Sequence, residues 1–272
     1  MSDKIRIKPV HLMPILASLL FGLICAFLIL TSPVEIYQIT PFTEDVSGSF
    51  SNALYFVILV AISASVLYLL LKRKNRKVVT SITVLALTTA FIMLSIVYLS
   101  AILSFISNSE LLVLILAVLV TAVADFAIFR LGGKACNIVV ICLGGALGIF
   151  LGASIPTLSG FLILCFLAVY DVFAVYYGPV GKIARSGLEQ LQGLSFSFRD
   201  IQMGLGDLTF YSMLSGIMLF NFGVISCFVS IAGILLGCLL TFAMLEKRGM
   251  FPGLPFPVFF GLSTGLLASF FF

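Results

Sequence analysis

Two aspartates, Asp171 and Asp207, lie in long apolar stretches where an ionisable side chain is costly. A carboxylate at the middle of a membrane helix costs at least about 2.5–3.5 kcal/mol, so such residues rarely persist without a role. Two carboxyl groups held close together cannot both ionise readily, and one member of the pair stays protonated. The carboxylate can then activate water as a general base while the protonated partner donates to a substrate carbonyl. This hydrolytic chemistry needs no metal and no other cofactor.

The composition predicts an all-α polytopic membrane protein. Hydrophobic residues make up 61% of the 272 positions and charged residues 10%, with a mean hydropathy of +1.26. Soluble domains are less apolar and more charged. The apolar runs are long and continuous rather than alternating, which argues against a transmembrane barrel. The six cysteines form no CxxC or Cys/His cluster, so neither metal nor disulfides are indicated.

Apolar windows predict nine transmembrane helices in a single domain, residues 1–272. Helices 1–6 occupy about 11–177, a cytoplasmic loop follows at 178–200, and helices 7–9 occupy about 201–272. The fifth helix is short and rich in glycine, which would permit close packing against a neighbour. The predicted windows are 11–31, 53–71, 78–100, 111–129, 137–152, 158–177, 201–220, 224–245 and 253–272.

The distribution of basic residues predicts the orientation of these helices. All 15 lysines and arginines fall in the tails and loops of one side, including the run KRKNRK at 72–77. The opposite side carries only the acidic residues Glu35, Glu44, Asp45 and Glu110. The positive-inside rule therefore predicts a cytoplasmic N-terminus and an external C-terminus. Because the basic residues serve as topology signals, the net charge of +4 does not indicate nucleic acid as a partner.

The two aspartates are expected at equal depth on consecutive antiparallel helices. Asp171 lies six residues before Tyr177, and Asp207 lies six residues after Ile201. At about 1.5 Å per residue, each carboxyl group would sit roughly 9 Å inside the same end of the bundle. We therefore expect the pair to meet.

A third intramembrane acid, Asp125, is expected to have a different role. Arg130 and Lys134 follow it within about two helical turns, which favours an interfacial ion pair over catalysis.

Three motifs in order along the chain resemble the presenilin and signal peptide peptidase family of intramembrane aspartyl proteases. They are Tyr170-Asp171, then Gly204-Leu205-Gly206-Asp207, and then Pro252-Gly253-Leu254-Pro255, where the family usually has Pro-Ala-Leu. The resemblance is strongest over residues 165–260. The basic loop between helices 6 and 7 is similar to the presenilin branch, because signal peptide peptidases have the inverted orientation.

The resemblance implies roles for these residues. Asp171 and Asp207 would be the catalytic dyad, and Pro252, Leu254 and Pro255 would position the substrate backbone, with Gly253 in place of the usual alanine. Two further groups would lie near a bound substrate. Tyr170 could form a hydrogen bond near the dyad, and the segment Gly204-Leu205-Gly206 would let another backbone approach the acid.

The segment GLSFSFRD at 193–200 alternates apolar and polar residues with the period of a strand. A helical substrate must be unwound before its peptide bonds can be cut. We therefore hypothesise that this segment, with Phe196 at its centre, pairs with an extended substrate by strand addition. A loop lying on the membrane surface is the alternative.

These observations predict an intramembrane aspartyl protease that cleaves single-span transmembrane substrates. The chain would be a multi-pass protein in contact with the lipid bilayer, in the plasma membrane if prokaryotic, and accessory subunits are not implied. The alternative is a secondary transporter or cation leak that uses the same carboxylates as a relay. A noncatalytic membrane scaffold is the third possibility.

Overall fold

The computed structural model describes residues 9–34, 36–73, 76–106, 109–177, 193–198 and 201–271. Over these ranges the chain forms nine α-helices and one two-stranded hairpin. Seven helical segments are long and apolar enough to cross a membrane, and one of them, Leu205–Arg248, contains two of the nine helices. The ninth helix, Pro255–Phe271, is shorter and also apolar. The protein is an integral, multi-pass membrane protein, as its composition predicted.

Five of the first six helices begin and end within about five residues of the predicted windows, and α2 begins earlier than predicted. A short 3₁₀ turn, Pro9–Leu12, leads into α1. The α4 helix continues as one π-helical turn, Ala127–Leu131. The helices are α1 (Met13–Thr31), α2 (Val46–Lys72), α3 (Arg76–Ile102), α4 (Glu110–Phe126), α5 (Gly133–Ser154) and α6 (Thr157–Tyr176).

The start of α2 differs from its predicted window by seven residues. Asp45 caps this helix, because its side chain accepts a hydrogen bond from the Gly48 N–H at 3.2 Å. The first two turns contain serine, glycine and asparagine, so an apolar window does not detect them although a capping residue starts the helix there.

The predicted start of helix 7 at residue 201 was wrong. Residues Ile201–Gly204 form strand β2, which pairs antiparallel with β1 (Ser195–Phe198). The pairing uses the backbone groups of residues that an apolar window counts as helical.

The helical stretch Leu205–Arg248 is interrupted at Gly223, with φ 87° and ψ 176°. A residue with a side chain rarely adopts a φ in this range, and glycine does so readily. The break divides the stretch into α7 (205–222) and α8 (224–248), as predicted. The last helix is α9 (Pro255–Phe271).

The glycine-rich α5 lies at the centre of the bundle, between α1 and α7. A Cβ on Gly152 would lie 2.8 Å from the Met213 carbonyl oxygen of α7, and one on Gly22 of α1 would lie 3.2 Å from the Gly145 carbonyl oxygen. The predicted close packing of this helix is therefore confirmed, because its glycines let backbones touch.

Candidate active site

Asp207 lies in the first turn of α7. The apolar window that starts at residue 201 had placed it six residues inside this helix. Gly204 is the N-cap, so Asp207 occupies the third helical position, and its carboxyl group lies close enough to the Gly204 backbone to interact with it. An acid at this position satisfies an otherwise unpaired N–H and lies at the positive end of the helix dipole. This placement explains how a charge is accommodated at the start of an apolar helix.

Asp171 lies near the end of α6, five residues before its last residue, Tyr176. Its Oδ2 accepts a hydrogen bond from the backbone N–H of Leu254 at 3.0 Å, and the Gly253 amide also interacts with it. The carboxyl groups of Asp171 and Asp207 are close enough to interact electrostatically. The structure thus brings the two predicted acids together.

The segment 252–255 lies against both acids. Pro252 and Leu254 are buried, and Pro255 begins α9. A Cβ built on Gly253 would lie 3.0 Å from each carboxylate oxygen of Asp207. The missing side chain therefore provides the room that this carboxyl group occupies.

The remaining predicted site residues differ in their burial and in their distance from the two acids. Tyr170 is half-buried beside Asp171, and Gly206 is exposed at the start of α7. A Cβ on Gly204 would make only an ordinary 3.8 Å contact with Asp207. Leu205 is buried, and its N–H donates to the Leu194 carbonyl at 2.8 Å, which ties the start of α7 to the hairpin.

Of the predicted strand 193–200, residues 195–198 form strand β1, 193–194 form a turn, and 199–200 lie outside the described residues. The Phe196 side chain is 4% exposed and packs in the core, and its residue pairs with Met203 of β2. Substrate therefore cannot use the Phe196 side chain directly without rearrangement of this packing.

The outer edge of β1 is already occupied by Asn137 of α5. Its amide nitrogen donates to the Ser197 carbonyl at 2.6 Å, and its amide oxygen accepts from the Ser197 N–H at 3.3 Å. In an antiparallel pair, residues alternate between facing the partner and facing away. Since Ser197 faces away from β2, its cross-strand partner Gln202 faces away from β1. Gln202 and then Gly204 therefore present their backbone groups at the other edge of the hairpin.

Asp125 does not form the ion pair that the sequence predicted. Within the described residues its partner is Thr88 of α3, whose hydroxyl donates to Oδ2 at 2.6 Å, and its Oδ1 is buried without a partner. Asp125 therefore bonds to the neighbouring helix α3. Arg130 lies in the π-helical turn that follows α4, and Lys134 lies at the start of α5.

Sequence reasoning missed one residue that touches the site. Tyr211 of α7 is 1% exposed, and its hydroxyl donates to the Gly253 carbonyl at 2.8 Å. It lies four residues after Asp207, hence on the same face of the helix. This four-residue spacing from Asp207 is the feature of the sequence that could have indicated a place for Tyr211 near the site.

Two solved structures, both of a presenilin family intramembrane aspartate protease, are similar to this chain. The one in space group C222 is 20% identical, with a TM-score of 0.68, and the match covers 97% of this chain and 100% of that one. The one in space group P2 is 19% identical, with a TM-score of 0.66, covering 96% of each chain. This chain has the presenilin-type fold. No protein-family model matches the chain, and no curated protein sequence does.

The presenilin-type fold explains why residues so far apart in sequence share one site. The end of α6, the start of α7 and the segment before α9 meet at one place in the bundle, and each carries one of the three motifs. Across the described residues, no group of three or more His, Cys, Asp or Glu could hold a metal ion. The groups that this arrangement brings together are two carboxyl groups and the backbone amides beside them.

Proposed function

We propose that the protein is an intramembrane aspartyl protease of the GxGD type, which hydrolyses peptide bonds within transmembrane helices of single-span substrates. The observation that carries the proposal is the meeting of Asp171 and Asp207 beside the segment 252–255. The presenilin-type fold supports it.

In the proposed reaction the two aspartates share one proton. The ionised carboxyl group takes a proton from water as the water attacks the scissile carbonyl carbon, and the protonated one donates to the carbonyl oxygen. Collapse of the tetrahedral intermediate then breaks the C–N bond. The protonated carboxyl group gives its proton to the leaving amine, and the other takes a proton from a hydroxyl of the intermediate, which restores the single shared proton. No cofactor takes part in the proposed reaction.

An apolar groove beside the dyad suits a membrane-embedded substrate. It lies between α6 and α9 and has a volume of about 280 Å³. Its lining includes Val172, the residue after Asp171, and Pro255 at the start of α9. A transmembrane helix could approach along these side chains without leaving an apolar environment. The lining residues are Cys165, Ala168, Val169, Val172, Pro255, Val258, Phe259 and Leu262.

The hairpin is proposed to hold the unwound substrate as a third strand. Asn137 covers the outer edge of β1, so the substrate would add to β2 beside Gln202. Gly204, the next outward-facing residue, interacts with Asp207 through its backbone. A strand on this edge would therefore run toward the catalytic carboxyl group.

The nine described helices are proposed to cross the membrane in turn, with the N-terminus cytoplasmic and the C-terminus external. Residues 205–222 and 224–248 are each long enough for a crossing once Gly223 divides them. In a variant whose native cysteines are replaced, an impermeant thiol reagent on intact cells should label a cysteine introduced at Thr40 and not one at Lys134. The reverse pattern would invert the proposed orientation.

The activity is tested with purified protein in detergent and a panel of single-span peptides, with and without a transition-state isostere. Asp171→Asn and Asp207→Asn should each abolish peptide release, whereas Asp125→Asn, an intramembrane acid bonded to Thr88, should retain it. No peptide release from the unmodified protein, together with ion flux in vesicles that either active-site substitution removes, would favour the transporter or cation leak. Release that survives both substitutions would reject the dyad.

A further inference from the structure

One peptide group, between Gly253 and Leu254, is hydrogen-bonded on both sides by side chains of different helices. Its carbonyl accepts from the Tyr211 hydroxyl of α7 at 2.8 Å, and its N–H donates to Asp171 of α6 at 3.0 Å. The C=O and N–H of a planar trans peptide point in opposite directions. Fixing the direction of one therefore fixes the direction of the other.

Tyr211 is itself held firmly. Its ring is buried in the core, and the buried Cys238 thiol of α8 lies near enough to its hydroxyl to interact with it. A buried phenol hydroxyl normally requires a partner. If the peptide turned away, the hydroxyl and the Gly253 carbonyl would both lose this bond inside the protein.

The peptide needs such a restraint because residues 249–254 form no helix or strand. No ladder of backbone hydrogen bonds fixes the plane between Gly253 and Leu254, and glycine allows rotation on one side of it. A reversed plane would turn a carbonyl oxygen toward the Asp171 carboxyl group, where it would repel the carboxylate.

We propose that Tyr211 is a positioning residue: its hydroxyl orients the Gly253–Leu254 peptide so that the Leu254 N–H points at Asp171. The consequence for turnover rests on the proposed proteolytic function. The linkage between Tyr211 and Asp171 through the peptide does not depend on that function.

The linkage is tested by thermal unfolding of the purified protein in detergent. Tyr211→Phe and Asp171→Ala, singly and together, should lower Tm non-additively, because each substitution removes one end of the same restraint. Tyr98→Phe is the matched control, since that buried hydroxyl of α3 donates to the Ala146 carbonyl of α5 at 2.7 Å. Its effect should add to that of Asp171→Ala. Additive effects for both tyrosines would overturn the linkage.

Turnover provides the second readout. Tyr211→Phe should lower kcat about ten- to a hundredfold, because small misplacements of a reacting group cost that much. KM should stay within about twofold, since binding along the groove is unaffected. Tyr98→Phe should lower Tm about as much as Tyr211→Phe does, and it should leave kcat unchanged. Equal kcat in the unmodified protein and Tyr211→Phe would overturn the positioning role, whereas an inactive unmodified protein would reject the proposed function and leave the unfolding result to decide the linkage.

Discussion

The α-carbon of Gly253 faces the carboxyl group of Asp207, and a Cβ at this position would lie 3.0 Å from both carboxylate oxygens. Gly253→Ala should therefore displace either the carboxyl group or the segment that carries residue 253. We expect kcat to fall about tenfold, because displacements below an ångström already weaken catalytic alignment. Peptide release by the purified variant measures the effect.

A glycine of α6 remote from the dyad provides the control for this substitution. A Cβ on Gly160 would make one close contact, at 2.6 Å with the terminal methyl group of Ile217, which a flexible side chain can move; its next contacts, with Ile217 and Met213, are ordinary ones at 3.6 Å. Gly160→Ala should therefore retain kcat. Alanine is usual at position 253 in the family that the sequence resembles, so full activity in Gly253→Ala would show that this site does not depend on glycine.

The two edges of the hairpin allow a direct test of strand addition. Gln202→Pro removes an N–H from the edge of β2 that faces away from β1 and leaves the backbone hydrogen bonds between β1 and β2 intact. It also removes the 3.4 Å side-chain bond from Gln202 to the Ser195 hydroxyl, which is exposed. Loss of one hydrogen bond to the substrate, about 0.5–1.5 kcal/mol, corresponds to about a two- to thirteenfold lower kcat/KM. Steady-state cleavage of a single-span peptide measures it.

Ser197→Pro is the matched control because Ser197 pairs with Gln202 across the hairpin but faces the opposite edge, toward Asn137. It should retain kcat/KM within about twofold, since only one bond to Asn137 is lost. If Gln202→Pro and Ser197→Pro lower cleavage equally, the substrate strand does not add at the edge of β2 that faces away from β1. Phe196→Pro is less informative, since residue 196 packs in the core.

The carboxyl group of Asp45 should make the stability of the protein depend on pH. The Thr43 hydroxyl and, after it, the Gly48 N–H hold the pKa of this exposed carboxyl group below its ordinary value of 3.8. A carboxyl group with a lowered folded-state pKa stabilises the protein above the unfolded-state pKa, and this contribution is lost as pH falls through the folded-state value. Asp45→Ala should therefore lower Tm at neutral pH, and the difference from the unmodified protein should shrink on acidification.

Asp45→Asn separates the cap from the charge. An asparagine oxygen can cap α2 but does not titrate. The Tm difference between Asp45→Asn and Asp45→Ala should therefore persist at acid pH. A constant difference between the unmodified protein and Asp45→Ala across this pH range would contradict the assignment.

Asn52 is expected to be a main support of the segment before α2. It is 2% exposed, accepts from the Phe42 N–H at 3.0 Å, and donates to the Phe42 carbonyl at 3.3 Å and to Ser159 of α6 at 3.2 Å. Asn52→Ala removes this partner from the Phe42 N–H and the Ser159 hydroxyl, and leaves the Phe42 carbonyl with only the Thr40 hydroxyl among its described partners, so the free energy of unfolding should fall by about 1–3 kcal/mol. Ser51→Ala, whose hydroxyl bonds only within its own helix, should change it by less than about 0.5 kcal/mol. Equal effects of the two substitutions in reversible chemical unfolding would exclude the proposed support.

Several helices could be located from the sequence because a membrane span requires a long apolar run, and the windows for α3 and α6 lie within two residues of the observed helices at both ends. The windows failed where polar or extended residues decide the local structure. The cap at Asp45 starts α2 early, and the pairing of Phe196 with Met203 turns residues 201–204 into a strand.

The sequence by itself determined the membrane class, most helices and the two acids, because hydrophobicity and an intramembrane charge are properties of single segments. Only the tertiary structure decided that Leu254 donates to Asp171, that Gly253 makes room for Asp207 and that Tyr211 holds the peptide between them. These contacts join residues separated by between 42 and 83 positions along the chain. Hydrophobic periodicity reports which face of a segment is buried, and it carries no information on which backbone group of a distant loop comes to lie against that face.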